Sequence, residues 1–477
     1  MSEQYSDSGL WKVFAKWAHL PLLMLFFIMY SWKQSVYFFS LSEAFLFWLA
    51  GTTGLLLLAV LLNKILFSDL AKATASVSLA GVFFLHYAAI YKYTSETPAI
   101  AGLGRHRVLI PIALILWGLW LLFLHFRQKN PQLLTRYLNV LFLILVAGEM
   151  LQVVWAYRQG KDIGKEIQHK HALTTVAETP TVTDHFPDIV QIIVDAHTSF
   201  GSLEKFWDYH PPLREFLLGK GFYIAENAHS NYDHTGQSIS SLFEMDSIPI
   251  LHTVPVSSYL SDGMARAFIR SGKVPRKLKG AGYQLINYSL FDLPETPRYW
   301  DNLFISDPAE TGQMLWRKTL GGKLQDDFLH IPSFLTDIAI VDSLSQFSLS
   351  AYDTPVFLYA HFGVPHAPYF FDRRGEIYSG GNLPGKNDEE AYLEQLMYTD
   401  QKIAEIVTAL LQDTTRQPVI IIQGDHGSRI LSDPKADQAE RFTILNAFFF
   451  PDGDYSQLND SLTTIETYRI VLAKYFL

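Results

Sequence analysis

"PVIIIQGDHGSR", Pro418–Arg429, sends Val419, Ile420, Ile421 and Ile422 almost directly into Asp425 and His426. Four consecutive apolar residues, three of them β-branched isoleucines, predict a strand buried on both faces. A carboxylate and an imidazole released together at its end gain little from packing, so the pair points to chemistry. Carboxylate plus imidazole suits Zn2+ or Mn2+ better than Ca2+, which prefers oxygen donors alone. The flanking Gly424 and Gly427 are expected to permit tight turns and close approach by a ligand. Asp-His-Gly by itself is a weak motif, and the surrounding chain must supply the rest.

Working outward, "DIVQIIVD" (188–195), "YQLINYS" (283–289), "PVFLYAHF" (355–362) and "NAFFFPD" (446–452) read as further buried strands. "DEEAYLEQLMYTDQKIAEIVTALLQD" (388–413) carries apolar residues at helical spacing. Strands alternating with helices predict an α/β domain with a mostly parallel central sheet. Ligands of such sheets gather at the carboxyl ends of the strands, where Asp195, His361, Asp425 and His426 all fall. Each has a plainer reading too. Asp195 can be a helix N-cap, and His361 or His366 a hydrogen-bonded structural residue.

A nucleophile is still required. "ENAHSNYDHTGQSISSLFEMD" (226–246) sets Thr235, Ser238, Ser240 and Ser241 around a helix start. A hydroxyl there feels the helix dipole, and backbone N–H groups would receive a phosphoryl group. An alcohol is a poor nucleophile at neutral pH unless a base or a metal activates it. The alternative is that Thr235 or Ser238 only caps the helix.

The first third is different in kind. The 477 residues exceed one ordinary domain, 49% are hydrophobic and 14% aromatic, and residues 1–157 hold almost all the long apolar runs. Five runs approach the membrane-crossing length of about 20 residues: Ala18–Trp32, Ala44–Leu62, Ala73–Tyr91, Val108–Phe126 and Leu138–Tyr157. The first has a long polar lead and no small-residue cleavage site, which argues against a cleaved signal peptide. Lys and Arg divide almost evenly between the two sides, so charge does not orient the bundle. His86 in the third run is expected to face other helices. Residues 158–187 ("HKHALTTVAETPTVTDHFP" within them) read as a polar linker, its histidines solvated rather than metal-binding. The domains expected are therefore 1–157, transmembrane; 158–187, linker; and 188–477, catalytic. A net charge of -9 disfavours nucleic acid as a partner, and the absence of Cys removes thiolate and disulfide chemistry.

With "IIVDAHTS", "SNYDHTGQSISSLFEM", "AHFGVPHAPY" and "IIQGDHGSR" in this order, residues 188–477 resemble the alkaline-phosphatase/sulfatase superfamily. More narrowly the chain is similar to membrane-bound sulfatase-like hydrolase/transferases, among them phosphoethanolamine transferases and lipoteichoic acid synthases. The resemblance implies an N-terminal bundle of about five transmembrane helices and an extracytoplasmic catalytic domain at the plasma (inner) membrane. It implies metal ligation by Asp195, Thr235, Asp425 and His426, with Thr235 as nucleophile and His361 and His366 near the phosphate and leaving group. Arg429 would stabilise phosphate charge. Three departures matter. The transferases usually carry Glu where this chain has Asp195. The Cys/Ser-x-Pro-x-Arg frame of true sulfatases is missing, which disfavours sulfate-ester hydrolysis. No His follows His426, so one tight metal site is expected.

The activity implied is transfer of a phospholipid head group, phosphoethanolamine or phosphoglycerol, to a glycan or glycolipid hydroxyl through a phosphothreonine ester. The same residues acting on water would make a membrane-tethered phosphodiesterase or phosphatase. A non-catalytic glycan-assembly partner that keeps the fold is the third reading, disfavoured because the whole Asp195/Thr235/Asp425/His426 set is present. A channel is disfavoured because the apolar runs hold few charges, chiefly Glu149.

Overall fold

A computed structural model describes residues 16–33, 39–172, 186–249, 251, 259–297, 311–328, 334–378, 380–412 and 416–476. The chain forms two compact units. The first holds Met1–His169 and Leu303–His330, the second Lys170–Asn302 and Ile331–Leu477. The two units do not divide at a single point in the chain. The segment Leu303–His330, expected inside the catalytic domain, belongs to the first unit. Its two short helices, Thr311–Arg317 and Leu320–Phe328, explain why. Met314 and Leu315 are buried in one apolar cluster with Leu23, Met24 and Phe27. The backbone is tied as well: Ser40 N–H donates to Thr311 Oγ1 (2.6 Å) and Gly312 N–H to Glu43 Oε2 (3.0 Å).

Within that unit, three helices are long and apolar enough to cross a membrane among the described residues: Leu41–Phe67, His106–Phe126 and Pro131–Trp155. Leu70–Leu85 and Tyr87–Glu96 qualify together but bend by 56° at His86. The helix His19–Trp32 has 14 residues, a rise of about 21 Å against the roughly 30 Å hydrocarbon core. All five expected runs are thus helical, and three or four reach spanning length. His86 does face other helices, with the rings of Phe26, Phe27 and Tyr30 5.4–5.7 Å away. Glu149 is answered by Lys33, Nζ to Oε2 2.8 Å, so the acid in the apolar run is a paired charge.

The linker begins later than expected. The last membrane helix runs Pro131–Ala172, through the polar residues after Arg158. A helix already nucleated in the apolar run extends at the gain of one hydrogen bond per residue, and Lys-, Glu- and Gln-rich sequence does not resist it. The side chains of the His-Lys-His tract and the rest of the linker to residue 185 lie outside the described residues.

The second unit is built on a six-stranded sheet of order β2-β6-β5-β1-β4-β3. The strands are β1 Ile189–Val194, β2 Tyr223–Ile224, β3 Gln284–Tyr288, β4 Val356–Phe362, β5 Val419–Gly424 and β6 Asn446–Phe449. Pairs β1/β4, β1/β5 and β3/β4 are parallel, and β6 runs antiparallel to both β5 and β2. Between β5 and β6 the chain passes through the seven-residue helix Pro434–Glu440 and re-enters the sheet at the end where β5 left it. Every residue of β1, β4 and β5 is buried, as continuous apolar runs predict. Two apolar clusters cover the two faces, one with Leu396, Ile403 and Val407 and the other with Leu242, Phe243 and Tyr468.

Candidate active site

The sheet register assembles the site. Val194 of β1 pairs with Phe362 of β4 on one side and Gly424 of β5 on the other. Asp195 and Asp425 therefore leave adjacent strands at the same level, one residue beyond the last pairing. His361 sits opposite Ile193, at the end of β4. Asp195 is not a helix cap: the next helix, Phe200–Trp207, is capped by Ser199.

Asp425 is fully buried, and its Oδ1 accepts the N–H of Ala196 (3.0 Å) and of His426 (2.9 Å). Its Oδ2 and the Oδ1 of Asp195 have no hydrogen-bond partner among the described residues. His426, also fully buried, donates from Nδ1 to Gly427 O (2.8 Å), which fixes the tautomer and leaves the Nε2 lone pair pointing inward. That Nε2 lies 3.4 Å from Asp195 Oδ1, 3.6 Å from Asp425 Oδ2 and 3.4 Å from Thr235 Oγ1.

The electrostatics follow from these distances. Burial and the facing Asp425 hold the Asp195 carboxyl well above the usual carboxylate range. Burial also opposes ionisation of Asp425, but the adjacent His426 and His361 and the Ala196 N–H hold it below that range. Burial pushes the imidazoles of His426 and His361 down to about 4, so both are neutral at pH 7 and free to donate a lone pair. Two bare carboxylate oxygens facing a neutral imidazole in a buried pocket form a poor protein interior and a good cation site. The donor atoms fall into two triads sharing Asp195: Asp195/His361/Asp425 and Asp195/His366/His426, each within 4.8 Å. The residues therefore fit a divalent metal ion. Each triad includes one of the two histidines upstream of the Asp-His pair, His361 with Asp425 and His366 with His426.

Thr235 opens the helix Thr235–Glu244 as its first residue. The capping position belongs to His234, which makes no side-chain cap bond, so neither Thr235 nor Ser238 is the N-cap. Ser238 instead meets Ser230, Oγ to Oγ 3.1 Å, beneath the site. The first N–H groups of this helix have no intrahelical acceptor and make an anion seat. A Cβ on Gly236 would lie 2.9 Å from Ala265 Cβ, so glycine lets the helix start pack tightly.

His366 is half-buried, its Nδ1 donating to Ala367 O (2.6 Å) and its Nε2 accepting from Arg429 Nη2 (2.9 Å). Burial, then the Arg429 charge, lowers its pKa below the usual imidazole value. Arg429 is held at φ 60°, a left-handed conformation costly for a side chain of this size. Its Nη1 donates to Asp233 O (2.9 Å), which ties the Asp-His turn to the loop that leads into Thr235.

The glycine reading needs correction. A Cβ on Gly424 would collide with the carbonyl oxygen of His197, and one on Gly427 with that of Glu440. Backbone, not ligand, makes the close approach, and neither glycine has positive φ. Several supporting residues escaped the sequence reading. Glu440 accepts from Ser428 N–H (3.0 Å), Ser428 Oγ (2.7 Å) and Arg429 N–H (3.3 Å). Asp337 accepts from Gly363 N–H (2.6 Å), and burial pushes its carboxyl up to about 7. Gln395 accepts from Phe370 N–H (2.7 Å) and donates to His366 O (3.0 Å), clamping the His366 loop. Gln395 had a signal, since a fully buried amide interrupts the apolar stripe of the helix Asp388–Leu410. Glu440 and Asp337 had none.

A protein-family model described as Sulfatase matches residues 219–465. No curated protein matches the chain. Solved structures similar to it include lipooligosaccharide phosphoethanolamine transferase A (EptA) from Neisseria meningitidis, an integral membrane protein, at 13% identity over 96% of this chain and 95% of that one, TM-score 0.38. The C-terminal periplasmic domain of EcEptC from Escherichia coli, in complex with Zn, aligns at 12% identity over 62% and 86%, TM-score 0.39. That of phosphoethanolamine transferase EptC from Campylobacter jejuni aligns at 13% identity over 61% and 90%, TM-score 0.36. Similarity at this level carries no assignment, whereas the family model spans just over half the chain and runs through Thr235, His361, His366, Asp425 and His426. This chain belongs to the sulfatase family.

Proposed function

We propose that this chain is a membrane phosphotransferase that moves a phospholipid head group, phosphoethanolamine or phosphoglycerol, to a glycan or glycolipid hydroxyl. The observation that supports it most is the Thr235 hydroxyl, 3.4 Å from the His426 imidazole and set at a helix N-terminus beside two unpartnered carboxylate oxygens. A phosphoryl group entering there meets positive backbone N–H groups and the Arg429 guanidinium. Sulfate chemistry is disfavoured because the chain has no Cys and Thr235 stands in "HTGQS". The chain's spanning helices suit a lipid donor, and the solved relatives named phosphoethanolamine transferases carry that chemistry in their names. The same reading puts the protein in the plasma (inner) membrane with this domain outside the cytoplasm.

Asp195, Asp425, His426 and Thr235 would hold a divalent ion, Zn2+ or Mn2+, with His361 completing the donor set. Such an ion supplies Lewis acidity and makes the threonine alcohol easier to deprotonate at neutral pH. Thr235 Oγ forms a bond to phosphorus while the bond to diacylglycerol breaks, and the threonine proton ends on the departing alkoxide. The acceptor hydroxyl then attacks the phosphothreonine ester, and its proton returns to Thr235 Oγ. His366, neutral at pH 7 and half-buried at the mouth, is the group suited to carry that proton. His361 is fully enclosed and hydrogen-bonded to Tyr359 OH (3.1 Å), which suits a fixed donor better than a proton carrier.

The test is mass spectrometry of the full chain purified from membranes starved of acceptor. A head-group adduct is expected on the peptide holding Thr235 and is lost in Thr235→Ala. No adduct, with labelled phospholipid yielding only free head-group phosphate, would replace transfer by hydrolysis. No turnover of any phospholipid by a metal-loaded preparation would sink both.

A further inference from the structure

An apolar cavity of about 520 Å3 lies among the helices Leu41–Leu62, Leu70–Leu85 and His106–Phe126 of the first unit. Gly54 lines it, and a Cβ there would meet nothing within 4 Å. Leu79, Leu114 and Leu116 line it and are also exposed, so the cavity opens on the side turned to lipid. Ile110, Leu114 and Trp117 mark one face of the His106–Phe126 helix by their spacing of four and three. Arg107 stands three residues before Ile110, on the same face one turn nearer the helix start. It is exposed and has no ion-pair partner among the described residues. The positive end of the helix dipole adds to its charge.

We propose that this cavity is a binding site for one glycerophospholipid of the surrounding bilayer, an acyl chain filling the groove and the phosphate on Arg107. The occupant must be hydrocarbon below, because a cavity with so apolar a lining does not hold water. It must be anionic above, because an unpaired guanidinium at a helix N-terminus recruits phosphate. Leu320, from the segment Leu303–His330, lines the same cavity, so a stretch of chain encoded between β3 and β4 helps enclose the lipid. The site is independent of the transfer reading and holds whether or not Thr235 carries a head group.

The experiment uses the full chain in nanodiscs of phosphatidylethanolamine and phosphatidylglycerol, with a trace of phosphatidylglycerol bearing a diazirine midway along one acyl chain. After irradiation, label is expected to concentrate on residues 51–58 and 110–117 over the lipid-facing stretch 143–151. Gly54→Phe fills the groove and is expected to abolish that preference while label on 143–151 persists, which also reports a folded bundle. Gly54→Leu repeats the test with a smaller side chain. Arg107→Gln is expected to weaken competition by unlabelled phosphatidylglycerol about tenfold, the size of one charge-assisted hydrogen bond, and Arg107→Lys to restore most of it. Even labelling of all lipid-facing helices, or a preference unchanged by both Gly54 variants, overturns the proposal.

Discussion

Replacing Asp195 by Asn should stabilise the metal-free protein while abolishing its activity. The carboxylates of Asp195 and Asp425 face each other within 4.8 Å, and each has an oxygen without a hydrogen-bond partner among the described residues. At an effective dielectric of about 20, two unit charges at that separation repel by about 3.5 kcal/mol. The metal-free wild type escapes part of this by keeping Asp195 protonated, its carboxyl being held high by burial first and by the facing Asp425 second. A folded-state pKa raised above the unfolded value means stability is lost as pH rises from the unfolded value towards the folded one. At pH 8 in EDTA, Asp195→Asn should therefore gain about 2–3 kcal/mol, roughly 5–10 °C in Tm for a domain of this size. Added Zn2+ or Mn2+ reverses the order. A ligand at a hundredfold its Kd stabilises the wild type by about 2.7 kcal/mol, whereas the variant lacks the carboxylate common to both donor triads. The assay is a tryptophan-fluorescence melt of the detergent-solubilised full chain, with EDTA and then with each metal. A variant less stable than wild type in EDTA, or one that gains as much from metal, would refute the reasoning.

Two further outcomes follow from the supporting residues. Glu440→Ala strips the acceptor from Ser428 and Arg429 and should cost about 2–4 kcal/mol, with Glu440→Gln costing less because one oxygen survives; chemical or thermal unfolding of the two variants measures it. Asp337, with its carboxyl pushed up to about 7, should erode stability as pH rises from about 4 to 7, and Asp337→Asn should flatten that slope while still accepting from Gly363 N–H; melts at stepped pH between 5 and 8 check it, and an unchanged slope counts against the assignment.

Much of this site is legible in the sequence because strand ends are legible. β1, β4 and β5 are unbroken apolar runs, and a polar residue directly after such a run has to stand at the strand's end. Asp195, Asp425 and His426 are legible in that way. Motif resemblance, not periodicity, singled out Thr235 from its neighbouring serines. The structure then distinguishes them, because Thr235 begins the helix and Ser238 turns inward to Ser230. What stayed hidden depends on contacts across long separations. Glu440 and Asp337 look like ordinary helix-surface acids until the fold brings backbone N–H groups of other segments to them. Gly424 and Gly427 invited a ligand reading because sequence does not tell which atom approaches a missing side chain. The membrane boundary slipped for another reason: polarity marks where hydrocarbon ends, not where a helix does, and the last helix continues to Ala172.

The attachment of Leu303–His330 to the first unit bears on anyone wishing to express the second unit by itself. A fragment cut before β1 would still carry Met314 and Leu315, now stripped of the apolar partners that cover them in the whole chain. Such a fragment has a built-in adhesive strip and will tend to clump or cling to detergent. Leaving out the helices Thr311–Arg317 and Leu320–Phe328 removes that strip.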